Sequence, residues 1–353
     1  MESSTRWMIY GAYGFNGEAI AREAVVHGME PILAGRDRSK VRLLADELGC
    51  EARVFDLSDP HRIVENLDGI SAVLNCAGPF SSTAVSVMDA CVKAGSHYLD
   101  ITGEISVIEA AAQRGPRAAE ASIVLMPAVG FDVVPSDCLA AKLLKALPDA
   151  THLQLAFAGT GTISRGTART MFENIPRGGR ARVDGKIIRV PLVWKTKDVP
   201  FPDGTRPAVT IPWGDVATAW YSTGIPNIEV YTAMSRGGIR LLRLFEPFLF
   251  LMKIPLPSML KRLLLRSFMF DSKKNEPPGG KGSLWGCAWN DDGGSVEATL
   301  STVGPYRLTV LTALGALDRL LTDTPRPGFL TPSMAFGDDF ILTIPGTEFD
   351  WSR

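Results

Sequence analysis

Through the first 150 residues, short apolar runs alternate with longer stretches whose small and apolar residues recur at helical spacing. Trp7 to Tyr10 stops at Gly11-Ala12-Tyr13-Gly14-Phe15-Asn16-Gly17 and gives way to an alanine-rich run, Glu18 to Val26. That succession predicts a strand, a glycine loop and a helix. The alternation continues with strands expected at Met29 to Ala34, Ala52 to Phe55, Ala72 to Cys76, His97 to Asp100 and Ser122 to Met126. Helical spacing between them predicts helices at Ser39 to Leu48, from near Asp59-Pro60, at Ser81 to Ala94 and at Ile105 to Ala121, with a break at Gly115-Pro116. Strands regularly separated by helices imply α/β architecture, a doubly wound parallel sheet of the Rossmann kind. An apolar helix is expected from Cys138 to Leu147.

From Thr151 the pattern changes. Short β-prone runs at His152 to Ala158, Ile187 to Trp194, Ala217 to Tyr221, Ile228 to Met234, Leu284 to Trp289 and Val296 to Thr302 are separated by Gly, Pro and Asp clusters. They predict an α+β domain on a mostly antiparallel sheet over about residues 151–304. Tyr306 to Leu321 is again strongly helical, and the tail from Ala335 to Arg353 carries only short strand or loop signals. Gly159 to Thr167 is a hydroxyl-rich connection containing Arg165 and leading to a helix near Ala168. It is either a substrate-facing loop or an ordinary turn with Ser164 or Thr167 as N-cap.

One stretch fits neither pattern. Gly237 to Phe270 is rich in Leu, Phe and Met, is interrupted by Pro247, Pro255 and Pro257, and from Arg236 to Lys274 carries nine Lys or Arg against Glu246 and Asp271. None of its runs approaches the roughly 20 uncharged apolar residues of a spanning helix. Four readings stand: core packing, a basic amphipathic surface on an anionic membrane, an oligomer interface such as a homodimer's, or a greasy wall and lid for a lipid-like substrate. Asp271 to Lys281 reads as an exposed loop or hinge.

Composition narrows the chemistry. The 353 residues are 46% hydrophobic and 21% charged, which fits a globular protein of two domains. A net charge of −1 gives no footprint for nucleic acid. Cys50, Cys76, Cys91, Cys138 and Cys287 are scattered, as are His27, His61, His97 and His152, so neither a disulfide framework nor a metal site is indicated. With no basic stretch and apolar core at the N-terminus, a cytoplasmic location is the expectation, with or without peripheral contact at the inner membrane face.

The glycine loop supplies the first chemistry. Glycines at 11, 14 and 17 allow a tight turn and a close approach of backbone to a pyrophosphate, whose charge the N–H groups of the helix start would meet. With 34 glycines in the chain the spacing alone is weak, and the strand ends around it carry the weight. After the second strand, Gly35 stands where NAD enzymes place an acid, and Arg36 offers a permanent cation to a 2′-phosphate, which favours NADP(H). The alternative is a solvated Arg-Asp-Arg turn. Asp56, past the third strand, lies beside the adenine edge or caps the helix near Pro60. Asn75-Cys76-Ala77-Gly78-Pro79, ending the fourth strand, keeps the chain low beneath the nicotinamide ribose. The expected cofactor contacts are therefore Gly11, Tyr13, Gly14, Phe15, Asn16, Gly17, Arg36, Asp56 and Asn75 to Pro79.

These motifs, with Tyr98-Leu99-Asp100-Ile101-Thr102-Gly103-Glu104 and Gly130-Phe131-Asp132-Val133-Val134-Pro135-Ser136-Asp137, occur in the same order in the saccharopine dehydrogenase-like oxidoreductases. Within that family the chain most resembles the bacterial branch of trans-acting enoyl reductases. The resemblance is strong over the first 150 residues, loose from Gly159 to Met171, and returns at Gly328-Phe329-Leu330-Thr331-Pro332. Tyr13 departs from it, since a threonine is more usual there. It implies that the helix and following segment over about residues 305–335 complete the Rossmann domain, so that the second domain is an insertion. It also implies an NADPH-dependent oxidoreductase. The apolar, basic segment suits a long acyl chain or carrier-bound substrate and favours reduction of an enoyl thioester or polyketide-like C=C bond. The alternatives are a C=N (imine) reductase or amino-acid-conjugate dehydrogenase, and an NADPH-binding interaction or membrane-associated protein without turnover. Tyr98, Asp132, Arg165 and Tyr221 are candidate donors or charges for catalysis. For Asp132 and Asp137 the alternative is a structural turn in which Asp137 caps the next helix.

Overall fold

The computed structural model describes residues 6–159, 178–246, 280–323 and 325–352. The chain forms two compact units, one of Met1–Cys138 and Tyr306–Ile344, the other of Leu139–Pro305 and Pro345–Arg353. The first division falls within a helix at Cys138, earlier than residue 150.

The first unit is built on β1 (Trp7–Tyr10), β2 (Ile32–Gly35), β3 (Ala52–Val54), β4 (Ala72–Asn75), β5 (His97–Asp100), β6 (Val124–Met126) and β15 (Gly328–Phe329). Every residue of β1, β2 and β4 is buried, the signature of strands covered on both faces. All pairings are parallel, in the order β15-β6-β5-β4-β1-β2-β3. The direction of winding reverses between β1 and β4, and in such sheets the crevice at the strands' carboxyl ends there is the place for a ligand.

The intervening helices are α1 (Phe15–Val26), α2 (Arg38–Leu48), α3 (Pro60–Asn66), α4 (Phe80–Ala94) and α5 (Ile105–Glu120). Their ends follow from sequence chemistry. Asp37 accepts from Lys40 N at the start of α2, Asp59 caps α3 with Pro60 as its first residue, and Gly49 and Gly95 take the left-handed conformation after α2 and α4. The break expected at Gly115-Pro116 does not occur: α5 runs through Pro116. Gly115 sits against Phe329, where an added Cβ would come within 3.1 Å of the Phe329 Cβ, so packing on β15 supports the helix through the proline. Tertiary packing thus outweighs the local cost of roughly 3 kcal/mol.

The second unit begins inside α6 (Val134–Ala146) and contains β7 (His152–Gly159), β8 (Gly179–Val183), β9 (Lys186–Val190), β10 (Thr196–Phe201), β11 (Gly204–Thr210), β12 (Asn227–Ala233), β13 (Lys281–Trp289), β14 (Ser295–Val303) and β16 (Glu348–Trp351). The sheet runs β10-β11-β12-β7-β13-β14-β16, with β8 and β9 branching from β12, and only β7 and β12 are parallel neighbours. Gly286 leaves room for Leu139 and Leu143 of α6, which lie 3 Å or less from where a Cβ would be.

Three expectations are corrected here. Ala217 to Tyr221 is no strand but the middle of α7 (Asp215–Thr223), where five consecutive residues, Asp215 to Ala219, are buried and Gly224 terminates the helix at φ +72°. Burial on all sides erases helical periodicity. The β10-β11 hairpin escaped notice because Pro200 and Pro207 interrupt a largely polar alternation. Lys281 belongs to β13 rather than to the preceding loop. The tail contributes a 3-10 turn, Phe340–Thr343, and β16, which pairs with β14.

Of the apolar, basic segment, only its start is described, as α8 (Arg236–Phe245). Ile239 packs with Val193, Val209, Met234 and Leu242, while Leu241 and Leu244 are 57% and 66% exposed. Residues 247–270 lie outside the described residues, as do 160–177 with Arg165 and the helix expected near Ala168. No helix among the described residues is long and apolar enough to cross a membrane.

Candidate functional site

The loop after β1 is shaped by what its glycines touch. Gly11, at φ +82°, donates to Ala34 O at 2.8 Å, and a Cβ there would lie 2.8 Å from Ala77 N, so the loop lies against the end of β4. A Cβ on Gly17 would overlap Gly11 O, and one on Gly14 would crowd it at 3.2 Å. The chain there admits only glycine at 11 and 17. Gly14 is the N-cap of α1 and supplies no side chain to its N–H groups, which leaves the helix start free to meet an anion. Asn16 Oδ1 is buried and accepts no hydrogen bond among the described residues, so a hydroxyl donor would complete it. The loop fits a dinucleotide diphosphate.

At the ends of β2 and β3 the exposed charges are Arg36 and Asp56. Arg36 is exposed and forms no ion pair among the described residues. The nearby carboxylates are committed: Asp37 accepts from Ser39 Oγ at 2.7 Å and Lys40 N at 3.2 Å, and Asp56 accepts from Ser58 N at 2.9 Å and from the Ser58 hydroxyl. Those hydrogen bonds hold both carboxyls below their ordinary range. Of the two roles open to Asp56, helix capping falls to Asp59 instead. Tyr10, buried beneath this end, donates to Phe55 O at 3.2 Å, and burial pushes its hydroxyl up to about 12.

At the ends of β4, β5 and β6 the acids are buried. Asp100, fully buried, accepts from Tyr98 Oη at 2.7 Å, Thr102 N at 3.0 Å and Ala128 N at 2.8 Å. Burial raises its carboxyl to about 6 even against these donors. Ala128 holds φ +64°, a conformation that costs a β-carbon-bearing residue about 1–2 kcal/mol. Its N–H bond to Asp100 offsets that strain. Asn75 Nδ2 reaches Tyr98 Oη at 3.3 Å, and its Oδ1 accepts from Ala77 N at 3.0 Å, so one network fixes the turn Asn75 to Pro79. Cys76 is packed beside it, and burial raises its thiol. Glu104 takes the N–H groups of Phe80 and Ser81, at 2.9 and 3.2 Å, and thereby caps α4.

Asp132 enters this end from the loop after β6. Its carboxyl lies against Gly103, where a Cβ would be 2.8 Å from Oδ2, and desolvation raises it to about 7. A carboxyl poised there exchanges a proton near neutrality. The expected candidates are thus dispersed. Tyr98 is fully buried and donates to Asp100. Asp132 stands at the strand edge, Tyr221 lies half-buried on α7 in the second unit, and Arg165 is outside the described residues. Asp137 does not cap α6. It sits in that helix's first turn and accepts from Ser333 N at 2.8 Å, tying α6 to the short helix Pro332–Phe336. Asp100 and Glu104 went unassigned as site residues, although both lie in the segment Tyr98 to Glu104 that carried the resemblance. Among the described residues no His, Cys, Asp or Glu cluster is suited to a metal.

Residues 7–126 match the family described as the saccharopine dehydrogenase NADP binding domain. Over 138 residues the chain is 30% identical to a trans-acting enoyl reductase of Mycobacterium ulcerans, a match covering 37% of this chain and 33% of that protein. It is 32% identical over 150 residues to a probable mitochondrial saccharopine dehydrogenase-like oxidoreductase of Arabidopsis thaliana, covering 37% and 32%. The matched segment thus spans about a third of these relatives' length. A saccharopine dehydrogenase (L-Glu forming) of Saccharomyces cerevisiae shares the fold over 99% of this chain and all of its own, with a TM-score of 0.71 at 13% identity. The resemblance to the saccharopine dehydrogenase-like oxidoreductases holds for the nucleotide-binding unit, and the cofactor it binds is NADP(H).

Proposed function

We propose that the protein is an NADPH-dependent reductase that saturates the C=C bond of an enoyl thioester with a lipid-like or polyketide-like acyl chain. The carboxyl of Asp132, held against Gly103 beyond the end of β6 in an NADP-binding unit, is the observation that carries the reductase reading, and desolvation, which raises it to about 7, fits it for proton transfer. The partial likeness to a trans-acting enoyl reductase supports the choice of acceptor.

Bound NADPH would supply the hydride, which goes to the β-carbon of the enoyl group. The chain's own tasks are to hold the cofactor and to handle the balancing proton. Gly11, Gly14 and the start of α1 hold the diphosphate, and the exposed Arg36 meets the 2′-phosphate. Asp132, protonated, gives a proton to the α-carbon and is reprotonated from solvent. Asp100 keeps the turns at Thr102 and Ala128 in place around it. The test is to mix the protein with NADPH, offer 2-enoyl thioesters and, separately, cyclic imines, and follow the absorbance of the reduced nicotinamide. Oxidation with enoyl thioesters supports the reading, oxidation with imines alone moves it to C=N reduction, and tight NADPH binding without oxidation refutes turnover.

A membrane-surface contact is a second element of the reading, favoured by Leu241 and Leu244 standing exposed beside exposed Arg240 and Arg243 on α8. Flotation with anionic vesicles tests it.

A further inference from the structure

We infer that Tyr13 and Lys40 act with Arg36 as the subsite that selects a phosphorylated ribose, with the Tyr13 ring barring the carboxylate an NAD-binding chain would need. The inference rests on the NADP reading and goes beyond it in naming what enforces the choice.

The Tyr13 ring lies directly on Gly35. A Cβ at position 35 would come within 2.7 Å of Tyr13 Cε1, 3.3 Å of its Cδ1 and 3.3 Å of Val41 Cγ2. A side chain at the end of β2, including the acid that would pair with free ribose hydroxyls, would therefore have to displace the Tyr13 ring. Lys40, in the first turn of α2, places its ammonium 5.5 Å from the centre of the same ring. Its contact with Asp37 Oδ2, at 3.6 Å, is an exposed pair with a lysine side chain 63% accessible. Such a pair holds its partners weakly, so the ammonium can turn to a stronger anion.

The surrounding charges point the same way. Asp37 and Asp56 each hold a local turn through one oxygen, at Ser39 and Lys40 N and at Ser58, and the other oxygen of Asp37 faces the Lys40 ammonium. Arg36 has no competing ion pair among the described residues. Lys40 and the Tyr13 ring thus meet at the strand end that carries the exposed Arg36, with Asp37 as the weak partner a stronger anion would replace. The ligand chemistry that fits is a phosphomonoester dianion, which both cations attract and which a ribose diol lacks.

The test is equilibrium binding, read by quenching of protein fluorescence, of NADPH, NADH, 2′,5′-ADP and 5′-AMP. Lys40→Ala and Tyr13→Ala are each expected to weaken NADPH and 2′,5′-ADP about tenfold, the scale of one charge-assisted contact, and to leave NADH and 5′-AMP within about twofold. Tyr13→Phe, which keeps the ring, retains the preference. Gly35→Asp alone should disrupt the loop and bind neither dinucleotide, whereas Tyr13→Ala/Gly35→Asp makes room for the acid and shifts preference towards NADH. Thermal melts of each variant separate lost binding from lost folding. If folded Lys40→Ala and Tyr13→Ala keep the wild-type ratio of NADPH to NADH affinity, or if Gly35→Asp alone binds NADH well, the subsite assignment is wrong. If the wild-type protein binds neither dinucleotide, or prefers NADH, the NADP reading itself fails.

Discussion

The two ends of the crevice in the first unit handle charge in opposite ways. Around β1, β2 and β3 the useful charge is cationic and exposed, with Arg36 and Lys40 at the surface and α1 presenting bare N–H groups. Around β4, β5 and β6 it is acidic and buried, with Asp100 and Glu104 spending their oxygens on backbone N–H groups and Asp132 held against Gly103. An exposed cation is always charged and suits binding, because its strength is tempered by water and it releases its ligand. A desolvated carboxyl has its protonation shifted towards neutrality and suits proton transfer. The proposed reductase would use this division, gripping its cofactor at one end and moving a proton at the other.

The largest effect should come from the buried end. Asp100→Ala strands the donors Tyr98 Oη, Thr102 N and Ala128 N, and should cost about 3 kcal/mol or more of stability in a urea titration. A loss near zero would show that Asp100 is not the organiser of this end. Next in size, Asp132→Asn should lower kcat about a hundredfold with NADPH affinity intact, the usual scale for a lost general acid. Because the Asp132 carboxyl is raised to about 7, the wild-type rate should fall as pH climbs through that value and the acid loses its proton. An unaltered pH profile in Asp132→Asn would remove it from catalysis. At the exposed end, Arg36→Ala should weaken NADPH about tenfold, leave NADH unchanged, and cost almost no stability.

The smallest effect concerns His97, half-buried at the start of β5, whose Nδ1 accepts from Val124 N at 2.9 Å. Burial lowers its ring below the ordinary value, so the folded state favours neutral imidazole. The stability it contributes is present above the unfolded pKa near 6.5 and is lost as pH falls through the window below it. His97→Gln should flatten that acid limb of a melting profile. An unchanged limb would assign the acid sensitivity elsewhere.

The exposed end was the legible one. Its glycine loop acts through backbone geometry, which adjacent residues reveal in a linear pattern, whereas the cap of α3 is Asp59 and not the Asp56 that the pattern also offers. The buried end was only partly so. Tyr98 read as a candidate donor because a tyrosine at a strand end is indistinguishable in sequence from one folded inward onto Asp100. Asp137 read as a cap for its own helix, whereas its partner is Ser333, nearly 200 positions away. In the second unit, α7 was mistaken for a strand because burial on every side removes the polar face that marks a helix. Local chemistry shows in order along the chain, while contacts between distant segments do not.

The proposed reaction is hydride transfer from NADPH to a carbon–carbon double bond. Its most direct test is incubation of the protein with NADPH deuterated at C4 of the nicotinamide and a long-chain 2-enoyl thioester, followed by mass spectrometry of the acyl product. One deuterium at the β-carbon is the expected result, abolished or slowed about a hundredfold in Asp132→Asn. NADPH bound tightly, with label absent from the product for both hydride faces of the nicotinamide, would contradict the account.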